Sequence, residues 1–221
     1  MHDAPVRIAL IHALAHSVAP VQEAFERAWP EAVLMNLLDD SLSADLARGG
    51  GLDGRMTERF LALGDYAFRT GACAILFTCS AFGPCIDAVA RRWPQHPVLK
   101  PNEAMVDEAT ALARHGQGRI ALVATFAPTL ASMPAEFPSD LTVVPILAEG
   151  ALAALDAGDG ARHDSLVAQA VSRASPDIDV VALAQFSLAR AAGAVANVVQ
   201  VPVLTTPASA VRALRARFAV G

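Results

Sequence analysis

"RIALVAT", residues 119–125, is a short apolar run that opens on an arginine and closes on a threonine. Its continuous aliphatic character is that of a strand buried on both faces. A helix near 127–135 follows it, with Thr125 and Thr129 around the helix start. The first four residues repeat the opening of "RIALIH" (7–12), so one strand type begins each half of the chain. Four shared residues are a slight repeat by themselves. The order of elements around them is the stronger sign.

Working outward from these two strands, the pattern alternates. In the first half a helix spans about Ser17 to Trp29, stopped by Pro30, and "AVLMNLL" (32–38) is a second strand. Asp39, Asp40 and Ser41 can cap a short helix, and "GGGLDG" (49–54) reads as a mobile lid or a plain loop. A helix over 56–70 leads to the strand "ACAILFT" (72–78), a helix over 83–92 and the short strand "PVLK" (97–100). Asn102 can cap the helix 103–116. In the second half, "LTVVPIL" (141–147), helices near 150–156 and 161–174, "DIDVVALAQ" (177–185), a helix over 187–196 and "VPVLTTP" (201–207) precede a last helix. Strand–helix alternation with short loops predicts parallel sheets covered by helices, an α/β fold.

Composition narrows the class further. Of 221 residues 54% are apolar but only 5% aromatic, so the core is built from Ala, Val and Leu. The net charge is −5 with dispersed basic residues, which argues against a nucleic-acid footprint. No apolar run approaches the ~20 residues of a membrane span, and the N-terminal segment lacks a signal-peptide layout. Cysteines at 73, 79 and 85 form neither an even framework nor a Cys-x-x-Cys pair. A cytoplasmic location with free thiols is expected.

In parallel sheets, ligands bind beyond the carboxyl ends of strands. That rule selects His12 to Ser17, Asn36 to Asp40, Cys79 to Gly83, Lys100 to Glu103, Thr125 to Thr129, Glu149, Gln185 to Ser187, and Thr205 with Thr206. Cys79, in "ILFTCSAFGP" (75–84), stands at a strand end with a helix to follow, where backbone N–H groups and the helix dipole can stabilise a thiolate. It reads equally as a buried structural cysteine. Cys73 and Cys85 read as structural. The i, i+4 pair of "HALAH" (12–16) straddles a strand end and lacks a metalloprotease glutamate, so it points to a polar loop rather than zinc.

Taken together, "ILFTCSAFG" (75–83), "PVLKPNEAMVDEA" (97–109), "GRIALVATFAPTL" (118–130) and "VPVLTTPASAV" (201–211) resemble the aspartate/glutamate racemase superfamily. That group includes hydantoin racemases, maleate isomerases and arylmalonate decarboxylases. The resemblance implies two pseudo-symmetric Rossmann-like lobes with an active-site cleft between them. The first would hold residues 1–101 plus 203–221 and the second 102–202. It implies no cofactor, no metal, no nucleic acid and no membrane, a small-molecule carboxylate or hydantoin-like substrate, and a homodimer as one possible assembly. Family racemases use one cysteine per lobe, and Cys79 matches the first.

At the second position the chain departs from the family. "VVALAQFSLA" (180–189) puts Gln185 where the cysteine would stand. Glutamine neither gives nor takes a proton at neutral pH, but its amide can hold a carboxylate or an enolate oxygen. Cys79 and Gln185 are therefore the catalytic candidates. His12, Asn36, Ser80, Ala81, Lys100, Glu103, Thr125, Phe186, Ser187 and Thr206 are the substrate-binding candidates. The resemblance favours racemase-type proton transfer next to a carboxylate or amide carbonyl. Single-cysteine decarboxylation of malonate-type acids, cis–trans isomerisation and a non-catalytic binding protein are the alternatives.

Overall fold

A computed structural model describes residues 5–173 and 177–219. The chain divides into two compact units: one runs to Pro101 and takes the chain back from Ala210, and the other is Asn102–Ser209.

The first unit runs β1 (Arg7–His12), α1 (Val18–Ala28), β2 (Val33–Leu38), α2 (Leu42–Gly49), α3 (Gly54–Arg69), β3 (Ala74–Phe77), α4 (Gly83–Arg92) and β4 (Val98–Leu99). Its sheet has the order β2-β1-β3-β4, and all pairs are parallel. Alternate residues of the central strands serve opposite faces. Ala9, Ile11, Ile75 and Phe77 pack with Leu42, Phe60, Phe82 and Ile86 beneath the helices α2, α3 and α4. Those helices come close: a Cβ added to Gly64 of α3 would stand 2.7 Å from Cγ1 of Val89 in α4. Asp53 caps α3 by accepting the Met56 N–H at 2.8 Å, and Gly50 ends α2 with φ +72°. "GGGLDG" is thus a helix stop followed by a helix start.

The second unit continues with α5 (Glu103–Arg114), β5 (Arg119–Ala124), α6 (Ala127–Ser132), β6 (Thr142–Leu147), α7 (Ala151–Asp156), α8 (Gly160–Ser172), β7 (Val180–Leu183), α9 (Ala192–Ala196), β8 (Val203–Thr205) and α10 (Thr206–Ala219). The parallel order β6-β5-β7-β8 repeats the first sheet. On β5 and β7 the alternation is plain. Ala121, Val123, Val181 and Leu183 pack with Val167 and Val171 of α8. Ile120, Leu122, Ala124, Val180 and Ala182 pack with Met105, Val106 and Ala109 of α5. Pro145 sits in β6, an edge strand, where its missing N–H costs no ladder bond on the outer side.

At the α5–β5 turn, Asp179 accepts the N–H groups of Gln117 and Arg119, the latter at 2.7 Å. These bonds, led by that from Arg119, hold its carboxyl below the usual range. Glycine is required at 116, since an added Cβ would collide with the Asp179 carboxylate.

Two expectations differ from the structure. Residues 203–209 lie with the second unit, not the first, because β8 pairs with β7 (Val203 with Val181). Only from Ala210 does α10 join the first unit, where Phe218 packs on Trp29 and Arg215 donates to the Ala28 carbonyl at 2.6 Å. The helix foreseen over 187–196 opens as a 3-10 segment, Phe186–Ala191, before α9. The foreseen end of the helix 161–174 at residue 174 lies outside the described residues. Among those residues no helix is long and apolar enough to cross a membrane.

Candidate active site

Cys79 and Gln185 occupy the same place in their respective units. Each stands two residues beyond the end of the third strand of its sheet, β3 or β7. Each has extended backbone, φ −129° and −135°, and each caps a 3-10 turn, Ser80–Phe82 or Phe186–Ala191. The ladders that place them also match. Ile11 pairs with Phe77 and Val123 with Leu183, and the next N–H, of Thr78 or Ala184, donates to Ile11 or Val123 at 3.0 and 2.9 Å.

The side chains could hardly differ more. Cys79 is half-buried against the first core cluster. Burial pushes its thiol above the ordinary value, and the N–H of Ala81 pulls less strongly the other way. The backbone stabilisation of a thiolate expected here is therefore outweighed by burial. The 3-10 turn also separates Cys79 from α4, which starts only at Gly83, and a helix-end field fades within a turn. At neutral pH Cys79 is a protonated thiol.

Gln185 is clamped by Thr125. Its Oε1 accepts the Thr125 N–H at 2.7 Å and the Thr125 hydroxyl at 2.9 Å. A backbone N–H can only donate, so the atom facing it is the amide oxygen, and the orientation of the amide is fixed by chemistry. The NH2 group is left as the end to present to a ligand. Both donors of Thr125, its N–H and its hydroxyl, are engaged by Gln185.

Behind Cys79 lies a polar chain that adjacent strands assemble. His12 ends β1, fully buried, with Nδ1 3.0 Å from Thr78 Oγ1 and Nε2 3.1 Å from Asn36 Oδ1. Burial, opposed by the Asn36 hydrogen bond, lowers its pKa, so the ring is neutral. Both ring nitrogens are occupied, which removes His12 as a free proton carrier. His16 lies on the exposed 3-10 turn Ala15–Ser17, so the two histidines of "HALAH" share no helix face. Thr78 is the member that sequence spacing could not connect to His12 and Asn36, since only the order β2-β1-β3 brings the three together.

Other candidates divide plainly. Ser80 and Ala81 are exposed on the turn after Cys79, and Ser187 is half-buried on the turn after Gln185. Lys100 is paired with Asp87 at 2.7 Å. Glu103 opens α5 and is half-buried. Phe186 is buried and offers a ligand no exposed ring. Thr206 is fully buried, and its hydroxyl donates to the Leu183 carbonyl at 2.8 Å.

Sequence reading also missed an ionic knot past β2. Arg59 of α3 donates through Nε and Nη2 to both oxygens of Asp39, at 2.7 and 2.6 Å, and through Nη1 to Asp45 of α2 at 2.6 Å. Burial acts to raise the Asp39 pKa, but hydrogen bonds from Arg59 and Ser41 together carry it below the ordinary value. Among the described residues, no group of three or more His, Cys, Asp or Glu is placed to hold a metal ion.

No family model and no curated protein matches the sequence. Solved structures do match. Allantoin racemase from Klebsiella pneumoniae superposes with a TM-score of 0.73 at 18% identity, covering 98% of this chain and 89% of the other. Glutamate racemase from Francisella tularensis, in complex with D-glutamate, gives 0.67 at 12% identity, covering 97% and 81%. A variant of arylmalonate decarboxylase in a sulfate-associated form gives 0.64 at 19% identity, covering 95% and 92%. Two four-stranded parallel sheets of the same strand order, matched over 95–98% of this chain, give it the fold of these racemases and of the decarboxylase.

Proposed function

We propose that the protein is a cofactor-independent enzyme that transfers a proton at the carbon next to a carboxylate or amide carbonyl of a small molecule, with Cys79 as its proton carrier. The observation that carries this reading is the clamp on Gln185. An amide fixed through its oxygen by two Thr125 donors, at the position equivalent to Cys79, cannot exchange protons but can donate two hydrogen bonds.

The mechanism follows from the two side chains. A carbon acid beside a carboxylate is very weak, so its conjugate base must be stabilised as an enediolate by aimed donors. The Gln185 NH2 group and backbone N–H groups of the strand-end turns supply them. A protonated thiol suits the return of a proton to that enediolate better than the removal of one. For a malonate-type acid, the carbon–carbon bond to one carboxylate breaks and carbon dioxide leaves. The electron pair stays on the α-carbon as the enediolate, Sγ–H gives its proton to that carbon, and water reprotonates the thiolate. One thiol serves one face.

Racemisation is the second reading, favoured by the fold shared with allantoin and glutamate racemases. It needs a second proton carrier that Gln185 cannot be. The test is turnover of amino acids, hydantoins, substituted malonates and maleate by the wild type and Cys79→Ser. One class converted by the wild type and lost in Cys79→Ser is expected. Conversion by Cys79→Ser at the wild-type rate, or no conversion of any class, would overturn the proposal.

A further inference from the structure

The third strands of the two sheets end alike, but the turns behind them differ in length. Ser80–Phe82, after Cys79, has three residues, and Phe186–Ala191, after Gln185, has six. Long 3-10 runs are uncommon because their hydrogen bonds are poorly aligned, so this one needs support from outside. Phe186, Leu188 and Ala191 supply part of it by burial. On the solvent side Arg190 supplies the rest. Its guanidinium grips Asp164 of α8 at both oxygens, Nε to Oδ1 at 2.8 Å and Nη2 to Oδ2 at 3.3 Å.

The first turns of α8 form a socket for that guanidinium. Gly160 opens the helix, and a Cβ added there would collide with the Arg190 guanidinium. Asp164, one turn on, supplies the carboxylate. His163 is fully buried, with Nδ1 2.8 Å from Asp164 Oδ1, the same oxygen that accepts Arg190 Nε. A carboxylate only accepts, so Nδ1 carries the proton. Nε2 is then a buried acceptor with no partner among the described residues. Such an atom is destabilising, and an apolar ring would fill the place without it. What the histidine adds is the N–H that holds the Asp164 carboxylate in line for Arg190. An exposed ion pair contributes little when both side chains must be ordered, but here one partner is held in advance.

We infer that Arg190 is a positioning residue for Gln185. Seated in this socket, it fixes the 3-10 turn that Gln185 caps, and with it the direction of the amide that Thr125 clamps. All of these residues belong to the second unit. The inference rests on the proposed role of Gln185 as a fixed donor, but its first measurement needs no turnover.

Gly160→Ala is the test variant. Alanine suits a helix better than glycine, and the group it meets is the far end of a flexible, partly exposed side chain. Arg190 is therefore expected to be expelled from the socket while the thermal midpoint is kept. The Thr125 N–H, bonded to Gln185 Oε1, reports the clamp through amide hydrogen exchange followed by NMR. Its exchange is expected to be about tenfold faster in Gly160→Ala and in Arg190→Ala, as a local opening made easier. Arg114→Ala breaks an exposed pair with Asp140 in the same unit and is expected to leave that rate unchanged. On a substrate that the wild type converts, kcat of Gly160→Ala is expected to fall about tenfold with KM little changed, the signature of a misdirected group. Thr125 exchange at the wild-type rate in both Gly160→Ala and Arg190→Ala would overturn the inference, as would equal acceleration in Arg114→Ala. Faster exchange at wild-type kcat would overturn the positioning role and leave proton transfer by Cys79 standing.

Discussion

Replacing Thr125 by valine removes one of the two donors on Gln185 and nothing else of similar size. The hydroxyl-to-Oε1 bond of 2.9 Å is lost, while the N–H bond of 2.7 Å stays. Because the amide oxygen keeps one donor, no acceptor is orphaned, and the cost is that of a single neutral hydrogen bond, about 1 kcal/mol. Gln185→Leu is different in kind. It leaves the Thr125 N–H without its acceptor in a half-buried site, which costs about 1–3 kcal/mol. In that background the hydroxyl has no Gln185 to bond, so Thr125→Val becomes nearly neutral. Urea denaturation of the four proteins therefore yields a coupling of about 1 kcal/mol between the two positions, at unchanged slope. In the reaction, the loosened amide is expected to lower kcat/KM of Thr125→Val about fivefold, by the same free energy. Equal costs for Thr125→Val in both backgrounds would show that the clamp does not exist in solution.

Other outcomes follow from the same geometry. His12 is buried with a lowered pKa, so the unfolded chain binds a proton that the folded one refuses as the pH falls below ~6.5. Stability is expected to drop from pH 7 to pH 5 in urea titrations, and His12→Gln is expected to flatten that slope. Cys79 has a raised pKa, so its iodoacetamide labelling is expected to titrate above the ~8.5 of a free thiol; a midpoint below that value would restore an activated thiolate. Gly64→Ala forces a Cβ to 2.7 Å from Val89 and is expected to cost about 1–3 kcal/mol in urea denaturation. Val89→Ala in the same chain is expected to recover part of that loss, and a purely additive double variant would contradict the close packing of α3 on α4.

The strands were legible because burial on both faces leaves uninterrupted aliphatic runs, and "RIAL" marked the first strand of both sheets. Helices declared themselves by capping and stop residues such as Pro30. The 3-10 segment Phe186–Ala191 was not legible, because the apolar spacing of a tight turn and an α-helix agree over so few residues. Cys79 and Gln185 were singled out by position, and the structure puts them at equivalent strand ends of the two units. The His12–Thr78–Asn36 chain and the Arg59 knot were not singled out, since each needs the lateral order of strands or helices that a single sequence leaves open. Thr125 does stand just past the end of β5, but its bonds to Gln185 were not legible, since they need the pairing of β5 with β7.

The central claim is that one thiol moves the proton on one face, with Gln185 a fixed donor. It is tested most directly by running the reaction on the converted substrate in heavy water. The account predicts deuterium in the product at the reacting carbon, in a single configuration, with no label in the substrate that remains. Deuterium entering unreacted substrate with inversion of its configuration would contradict it, because that exchange requires a second proton carrier.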